Sequence, residues 1–415
     1  MSNPSHCIIV GGSHAGAQAA ASLRQEGFAG AITIISSERT LPYHRPPLSK
    51  ASLCVGACDQ DLFIRPSEFY AKQAIEVRTA TRVTAIDAQR RSVQCDNGEQ
   101  LFYSHLILAT GADVRRLILP GAELPAVCYL RDREDVLKIR TFIRPGGHAV
   151  IIGGGYIGLE TAASLRKQGM YVTVIEAQSR ILQRVTAAEV SAFYMRVHRE
   201  EGVEFLLDAS IECLNAEGEQ TAVQLADGQR LLADLIVVGI GVLPNVELAR
   251  QLGLDCPNGI AVDEHARTAC ENVYAVGDCT YHHNPIYNTS LRLESVQNAT
   301  DQARVAAQDI CGKPTAYKVL PWFWSDQYDL KLQIAGLSNG YDRVVLRGDS
   351  LQGRSFSAFY FCGARLLAVD AINRPKEFTF TKRFLAEGRS ADPSLLADES
   401  IDIQNCFTQE ASSCH

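Results

Sequence analysis

No stretch of about 18 uninterrupted apolar residues occurs in this 415-residue sequence, so no segment reads as a membrane-spanning helix. The opening MSNPSHCIIVGG lacks a Lys/Arg-rich stretch, a long apolar run and a small-residue cleavage site, and does not read as a secretory signal. Excess positive charge is missing too. Forty Lys and Arg against 47 Asp and Glu give a net charge of -7, which excludes general nucleic-acid binding because few phosphates would be neutralised. There is no CxxC among the 13 irregularly spaced cysteines. Disulfide frameworks belong to small secreted chains, so these read as reduced thiols of a cytoplasmic protein. Cys54 and Cys58, four apart, suit one helix face, but no metal site and no iron–sulfur cluster is expected.

What is present is the apolar content of a soluble enzyme, 46% with 21% charged, on a chain long enough for two or three domains. An internal echo dominates. CIIVGGSHAG near the start and AVIIGGGYIG near residue 150 each join an apolar strand, a Gly-rich turn and an Ala-rich helix. Each is followed by a strand ending in an acid, Glu38 or Glu176, 27 and 23 residues beyond the first glycine. This is the opening of a dinucleotide-binding βαβ unit, present twice. Gly11, Ser13 and Gly16 fill the GxGxxG positions with Ser in the middle; Gly153, Gly155 and Gly158 fill them without departure. Such a turn brings a pyrophosphate to the N–H groups of a helix N-terminus, and the strand-end acid accepts from ribose hydroxyls. A carboxylate at 176 repels a 2′-phosphate, so NADH is expected over NADPH, with Arg180 and Arg184 just beyond as a counterweight. Two nucleotide sites in one chain point to a flavoprotein that binds FAD and NADH.

Between and after the repeats, 100–111 and 232–241 read as apolar strands ending in glycine, and 271–279 as a short strand ending in Gly-Asp. A helix is expected from Ser295 to Cys311. From Pro321 onward, β-branched and aromatic alternation predicts a small antiparallel sheet with one helix near 377–387, then a loose polar tail.

The segments LPYHRPPLSK (41–50), ATG (109–111), GGGYIGLE (153–160), VYAVGDC (273–279), RLESVQNA (292–299) and PWFWSDQYD (321–329) together resemble the NADH-dependent ferredoxin reductases of bacterial oxygenase systems, with the rubredoxin reductases as close relatives. The resemblance spans about residues 5–385 in the family's order. It implies an α/β fold: two Rossmann-like domains of the glutathione-reductase type and a smaller C-terminal α+β domain. The implied boundaries are 1–112 with 245–320 for FAD, 113–244 for NAD, 321–400 for the C-terminal domain and 401–415 for the tail.

The resemblance also implies roles. Lys50 stands at the flavin beside Glu160, a cation that favours the anionic reduced ring and a carboxylate that fixes it. Arg45 and Arg131 neutralise the FAD pyrophosphate or brace the flavin. The backbone at Val83 meets the adenine, Asp278 accepts from a ribityl hydroxyl, and the Val296 N–H faces a flavin carbonyl at a helix N-terminus. Ala15, Ala109, Thr110, Gly111, Ile157 and Gly241 complete the expected nucleotide contacts. Trp324 lies over the flavin near the exit to the redox partner, and Arg65 with Arg304 forms a basic rim for a small acidic [2Fe–2S] ferredoxin or a rubredoxin. The expected enzyme is an NADH:ferredoxin oxidoreductase that passes hydride to FAD and single electrons onward, as a monomer or homodimer. Two rivals share the fold: a disulfide or peroxide reductase, for which Cys54 is the nearby candidate thiol, and a nucleotide sensor without rapid turnover.

Overall fold

A computed structural model describes residues 5–54, 56 and 62–407. Cys58 and Cys414 lie outside the described residues. The chain falls into two compact units: Met1–Arg45, Gln60–Asp113 and Leu243–Pro321 form one, and Pro46–Asp59, Val114–Val242 and Trp322–His415 the other.

In the first unit the echo's strand His6–Val10 is the centre of a five-stranded parallel sheet, ordered Val273–Ala275, His105–Leu108, His6–Val10, Ala31–Ile35, Ile75–Arg78. Strands buried on both faces read as continuous apolar runs, which is why CIIV and HLIL carry no alternation. Helix His14–Glu26 packs against helix Val296–Ile310 through Ala15, Ala19, Ala20, Ala299, Ala303 and Ala306, and small side chains let the backbones approach. Widening one of these contacts to Leu would cost about 1–3 kcal/mol. The opposite face is covered by Val83, Ile86 and Val93 of a three-stranded antiparallel sheet.

The second unit repeats the design, with strands Val203–Leu206, Tyr171–Ile175, His148–Ile152, Leu235–Val238 and Val127–Tyr129 in parallel. The duplication extends to side chains. His6 bridges the Phe102 carbonyl and Thr33 Oγ1, both at 2.9 Å, and His148 bridges the Leu232 carbonyl at 2.7 Å and Thr173 Oγ1 at 2.9 Å. Beyond Pro321 lies a five-stranded antiparallel sheet, ordered Trp322–Gln327, Leu330–Gly336, Arg365–Ile372, Ser355–Cys362, Arg343–Asp349. Its inner face (Leu332, Phe356, Tyr360) shares a core with Leu159 and with Phe193, Tyr194 and Val197 of helix Ala188–Glu200. Helix Pro375–Ala386 follows, where one was expected near 377–387.

Three expectations change. The apolar runs at 100–111 and 232–241 each divide between two sheets: Gln100–Phe102 and Arg230–Ala233 join antiparallel sheets, while His105–Leu108 and Leu235–Val238 enter the parallel ones. The short turns Pro46–Ser49 and Ala51–Leu53 belong with the second unit, because Ser164 donates to the Ser49 carbonyl at 2.7 Å and Arg140 Nε to the Ser52 carbonyl at 2.8 Å. The tail expected from 401 is packed through its first part: Ile403 and Cys406 are buried in a 3-10 turn, and Phe407 bridges Ala391. Residues 408–415 lie outside the described residues. Among those described, no helix is long and apolar enough to cross a membrane.

Candidate functional site

In the Gly-rich loop of the second unit, packing demands two of the motif glycines and leaves the third open. Gly153 turns at φ 107°, and a Cβ there would overlap the Gly239 carbonyl. Gly158 sits so close beneath that a Cβ would overlap the Gly153 carbonyl, which seats the helix on the strand. Gly155 is different. It caps helix Tyr156–Lys167 with φ -80°, and a Cβ would meet nothing within 4 Å. The open space lies before a helix N-terminus whose N–H groups have no side-chain cap, which fits a pyrophosphate.

Glu176 frames that space. Its carboxylate accepts the Gly154 N–H at 2.7 Å and the Gln178 N–H at 2.8 Å, one to each oxygen. One acceptor site per oxygen is left, a match for two ribose hydroxyls. Arg180 is committed elsewhere, donating to Thr186 O at 2.8 Å and Ser191 Oγ at 2.6 Å. Arg184 is exposed. Ile157 presents an apolar side chain 48% exposed in the helix's first turn, and Gly241, with φ 104°, also faces open space.

The first unit's loop differs in charge. Gly11 and Gly16 repeat the tight packing, and Ala15 is buried. Ser13, the departure from GxGxxG, caps the helix and accepts from Arg45 Nε at 3.0 Å. Arg45 also pairs with Glu38, which Tyr43 contacts through its hydroxyl. A guanidinium thus spans the helix entrance between Ser13 and Glu38, the placement for a cation facing a diphosphate. The Ala109–Gly111 turn is held by Asn245, an unforeseen residue. Thr110 Oγ1 donates to the Asn245 carbonyl at 2.7 Å, and Asn245 returns bonds to the Thr110 and Gly111 carbonyls at 3.1 and 2.9 Å. The only sequence signal was the VLPN that follows GIG.

Asp278, half-buried, follows Gly277, whose N–H reaches Gln302 Oε1 at 2.8 Å; the buried Gln302 also accepts from Thr280 Oγ1 at 2.9 Å. Val296 opens its helix as expected, with Ser295 Oγ accepting from Asn298 N–H at 3.1 Å. Val83 starts its strand with its side chain in the core, leaving only backbone for a ligand. Arg65 lies over the Phe69 ring at 4.8 Å; exposed Arg304 pairs with Asp301 at 2.5 Å, which offsets part of the charge a basic rim requires.

The Lys50–Glu160 pair lies in the second unit. Lys50 Nζ reaches Glu160 Oε2 at 2.7 Å and the Pro46 carbonyl at 3.2 Å. Glu160 is only 3% exposed, and Ser49 Oγ at 2.5 Å and Ser325 Oγ at 2.6 Å also donate to it. Three donors thus converge on one buried carboxylate. Sequence reasoning found the lysine and the acid but neither serine. Arg131 precedes the capping box of helix Arg133–Arg140, its N–H held by Asp135 Oδ2 at 2.7 Å. Trp324, half-buried, is tilted against Trp322 with centroids 5.6 Å apart, and both line a 320 Å³ cleft with Asp326, Lys331 and Gln333. Cys54, exposed, is a free thiol, as is every cysteine among the described residues.

Residues 5–303 match the pyridine nucleotide-disulphide oxidoreductase family and residues 322–407 the reductase C-terminal family. The chain is 43% identical to putidaredoxin reductase CamA of Pseudomonas putida over 97% of each chain. It is 42% identical to rhodocoxin reductase of Rhodococcus erythropolis over 96% of this chain and 93% of that one. A crystal structure of the covalent putidaredoxin reductase–putidaredoxin complex superimposes with a TM-score of 0.93 at 41% identity, over 97% of this chain and 98% of the other. The similarity runs through both nucleotide loops, the Lys50–Glu160 segment pair and the C-terminal sheet: the chain is an oxidoreductase of the pyridine nucleotide-disulphide oxidoreductase family, carrying the reductase C-terminal domain.

Proposed function

We propose that this protein is an FAD-dependent NADH:ferredoxin oxidoreductase that feeds single electrons to a small acidic [2Fe–2S] ferredoxin of an oxygenase system. The observation that carries this reading is Lys50 bonded to the buried Glu160 in the loop where a disulfide reductase needs a reactive thiol. Bound FAD supplies the conversion between a two-electron donor and one-electron transfers.

This chain's own residues bind and orient. Ser13, Arg45 and the N-terminus of helix His14–Glu26 take the FAD diphosphate, and Glu38 the adenosine ribose. Val83 and Ala109–Gly111 offer backbone, Asp278 accepts from the ribityl chain, and Val296 donates its N–H. Gly153–Gly158 and Glu176 hold NADH, with Ile157, Arg184 and Gly241 lining its path. Lys50, held by Glu160, supplies fixed positive charge at the flavin, and Arg131 braces it. Trp324 marks the exit for electrons, and Arg65 and Arg304 draw the acidic partner, so association weakens with salt. The free thiols suit a cytoplasmic setting.

Replacing the candidate thiol tests the reading against the disulfide-reductase rival. Cys54→Ser is expected to keep NADH-dependent ferredoxin reduction within about twofold of wild type, a change of no more than ~0.4 kcal/mol in barrier. Loss of turnover in that variant, with FAD still bound, would mean that the thiol and not the Lys50 loop carries the chemistry.

A further inference from the structure

Glu160 is the end of a chain of buried side chains that neither nucleotide loop uses. Ser325 Oγ donates to Glu160 Oε1 at 2.6 Å. Gln327 Nε2 reaches Ser325 Oγ at 3.1 Å, His198 Nε2 lies 2.7 Å from Gln327 Oε1, and the Tyr328 hydroxyl lies 3.1 Å from His198 Nδ1. Ser325, Gln327 and His198 are each no more than 1% exposed. His198 comes from helix Ala188–Glu200 and the serine and glutamine from strand Trp322–Gln327, so the chain ties helix to sheet.

The carboxylate dictates the direction of every bond. In its ion pair with Lys50 the Glu160 carboxylate is an acceptor, so the single proton of Ser325 must point to it. Ser325 oxygen then accepts, which turns the Gln327 amide nitrogen toward it and the amide oxygen toward His198. His198 must therefore carry its proton on Nε2 and accept from Tyr328 at Nδ1. Burial lowers the imidazole to about 4, so the ring is neutral at neutral pH and this tautomer is available. Each dipole ends with its positive side toward Glu160, so the chain fixes the rotamer of that carboxylate.

We propose that Ser325, Gln327 and His198 are positioning residues: a one-way hydrogen-bond relay that keeps the Glu160 carboxylate aimed, and through it holds the Lys50 ammonium in place for the flavin. The proposal rests on the reading of Lys50 as the flavin-side cation. It separates strand Trp322–Gln327 into two roles, because Trp322, Trp324 and Asp326 line the cleft while the alternate Ser325 and Gln327 point to the buried acid.

Two measurements test it. The first needs no flavin: ¹⁵N NMR of histidine-labelled protein, with the His198 resonance assigned by its loss in His198→Asn. The expected result, with or without FAD, is one neutral tautomer protonated at Nε2. A ring protonated at Nδ1, or a mixture, overturns the relay. The second is a double-mutant cycle on anaerobic flavin bleaching by NADH with Lys50→Met and Ser325→Ala, a one-atom deletion chosen to spare the fold, and Gln327→Leu as a further break. Ser325→Ala and Gln327→Leu are each expected to slow the limiting rate about tenfold while the apparent NADH dissociation constant stays within about twofold. In a Lys50→Met background the additional effect of Ser325→Ala should vanish. Equal slowing in both backgrounds, or none in the wild-type background, overturns the relay. If Lys50→Met itself bleaches at the wild-type rate, it is the reading of Lys50 that has failed, and the relay with it.

Discussion

On the proposed reading Glu176 sets the nucleotide preference, and the expected size of the effect follows from its surroundings. Its two oxygens each hold a backbone N–H, at 2.7 and 2.8 Å, so the carboxylate cannot swing away from a ligand without breaking both bonds. A 2′-phosphate carries roughly -1.5 to -2 charges. Facing a fixed carboxylate at about 5 Å, through an effective dielectric of about 40–80, it meets a repulsion of about 1–3 kcal/mol. That predicts a preference for NADH over NADPH of about tenfold to a hundredfold in kcat/KM from this one charge. Glu176→Gln removes the charge and keeps the shape. The variant should lose most of the preference, while NADH itself loses about fivefold because an amide nitrogen now opposes a backbone N–H, a cost of about 1 kcal/mol. The assay is steady-state kcat/KM with both nucleotides at low and high salt, since screening should shrink the wild-type preference and leave the variant's unchanged. A preference unaltered by the substitution would refute the electrostatic argument and shift specificity to contacts other than Glu176.

Two further predictions concern packing and pH. Gly155→Val should leave the melting temperature almost unchanged, because the backbone there is extended and a Cβ meets nothing within 4 Å, yet NADH binding should weaken at least about tenfold, some 1.4 kcal/mol; a variant that binds NADH normally would deny Gly155 any place at the pyrophosphate. Asp370, buried on the C-terminal sheet under the Tyr360 hydroxyl at 2.5 Å, is raised from 3.8 to about 7 by desolvation. Between those values the folded chain keeps a proton that the unfolded chain has lost, so stability falls as pH rises through that window and levels above it, by about 4 kcal/mol in all. Asp370→Asn lacks that slope, and its urea midpoint should gain on the wild type's from pH ~4 to ~7; parallel curves would show that Asp370 does not titrate there.

What the sequence disclosed was local. Strand, Gly-rich turn, helix and strand-end acid lie within 33 residues in the first unit (His6 to Glu38) and 29 in the second (His148 to Glu176), so both nucleotide units could be read at once, and Val296 was correctly placed at a helix start. The supporting contacts were not legible, because they join residues far apart in the chain. Ser49 and Ser325 reach Glu160 across 111 and 165 positions, and Asn245 reaches Thr110 across 135. A serine in a strand or an asparagine after a proline has many uses, and periodicity cannot choose among them. The division of 100–111 between two sheets was hidden for a related reason: Ser104 breaks the run with a hydroxyl that accepts the His6 N–H at 2.9 Å, yet both halves are apolar. The packed turn at 403–407 was masked by its polar neighbours, since only Ile403, Cys406 and Phe407 carry its burial.

The central claim is that electrons pass from NADH through FAD in this chain to a small iron–sulfur protein. It is tested most directly by sequential anaerobic stopped-flow: NADH or NADPH is mixed with the FAD-loaded protein, and the product is then mixed with a [2Fe–2S] ferredoxin or a rubredoxin. The account predicts fast flavin bleaching with NADH, little with NADPH, and fast return of flavin colour with the ferredoxin in a salt-dependent second phase. Absence of bleaching, or reduced flavin that persists in the presence of either iron protein, would contradict the account and favour a nucleotide sensor built on the same fold.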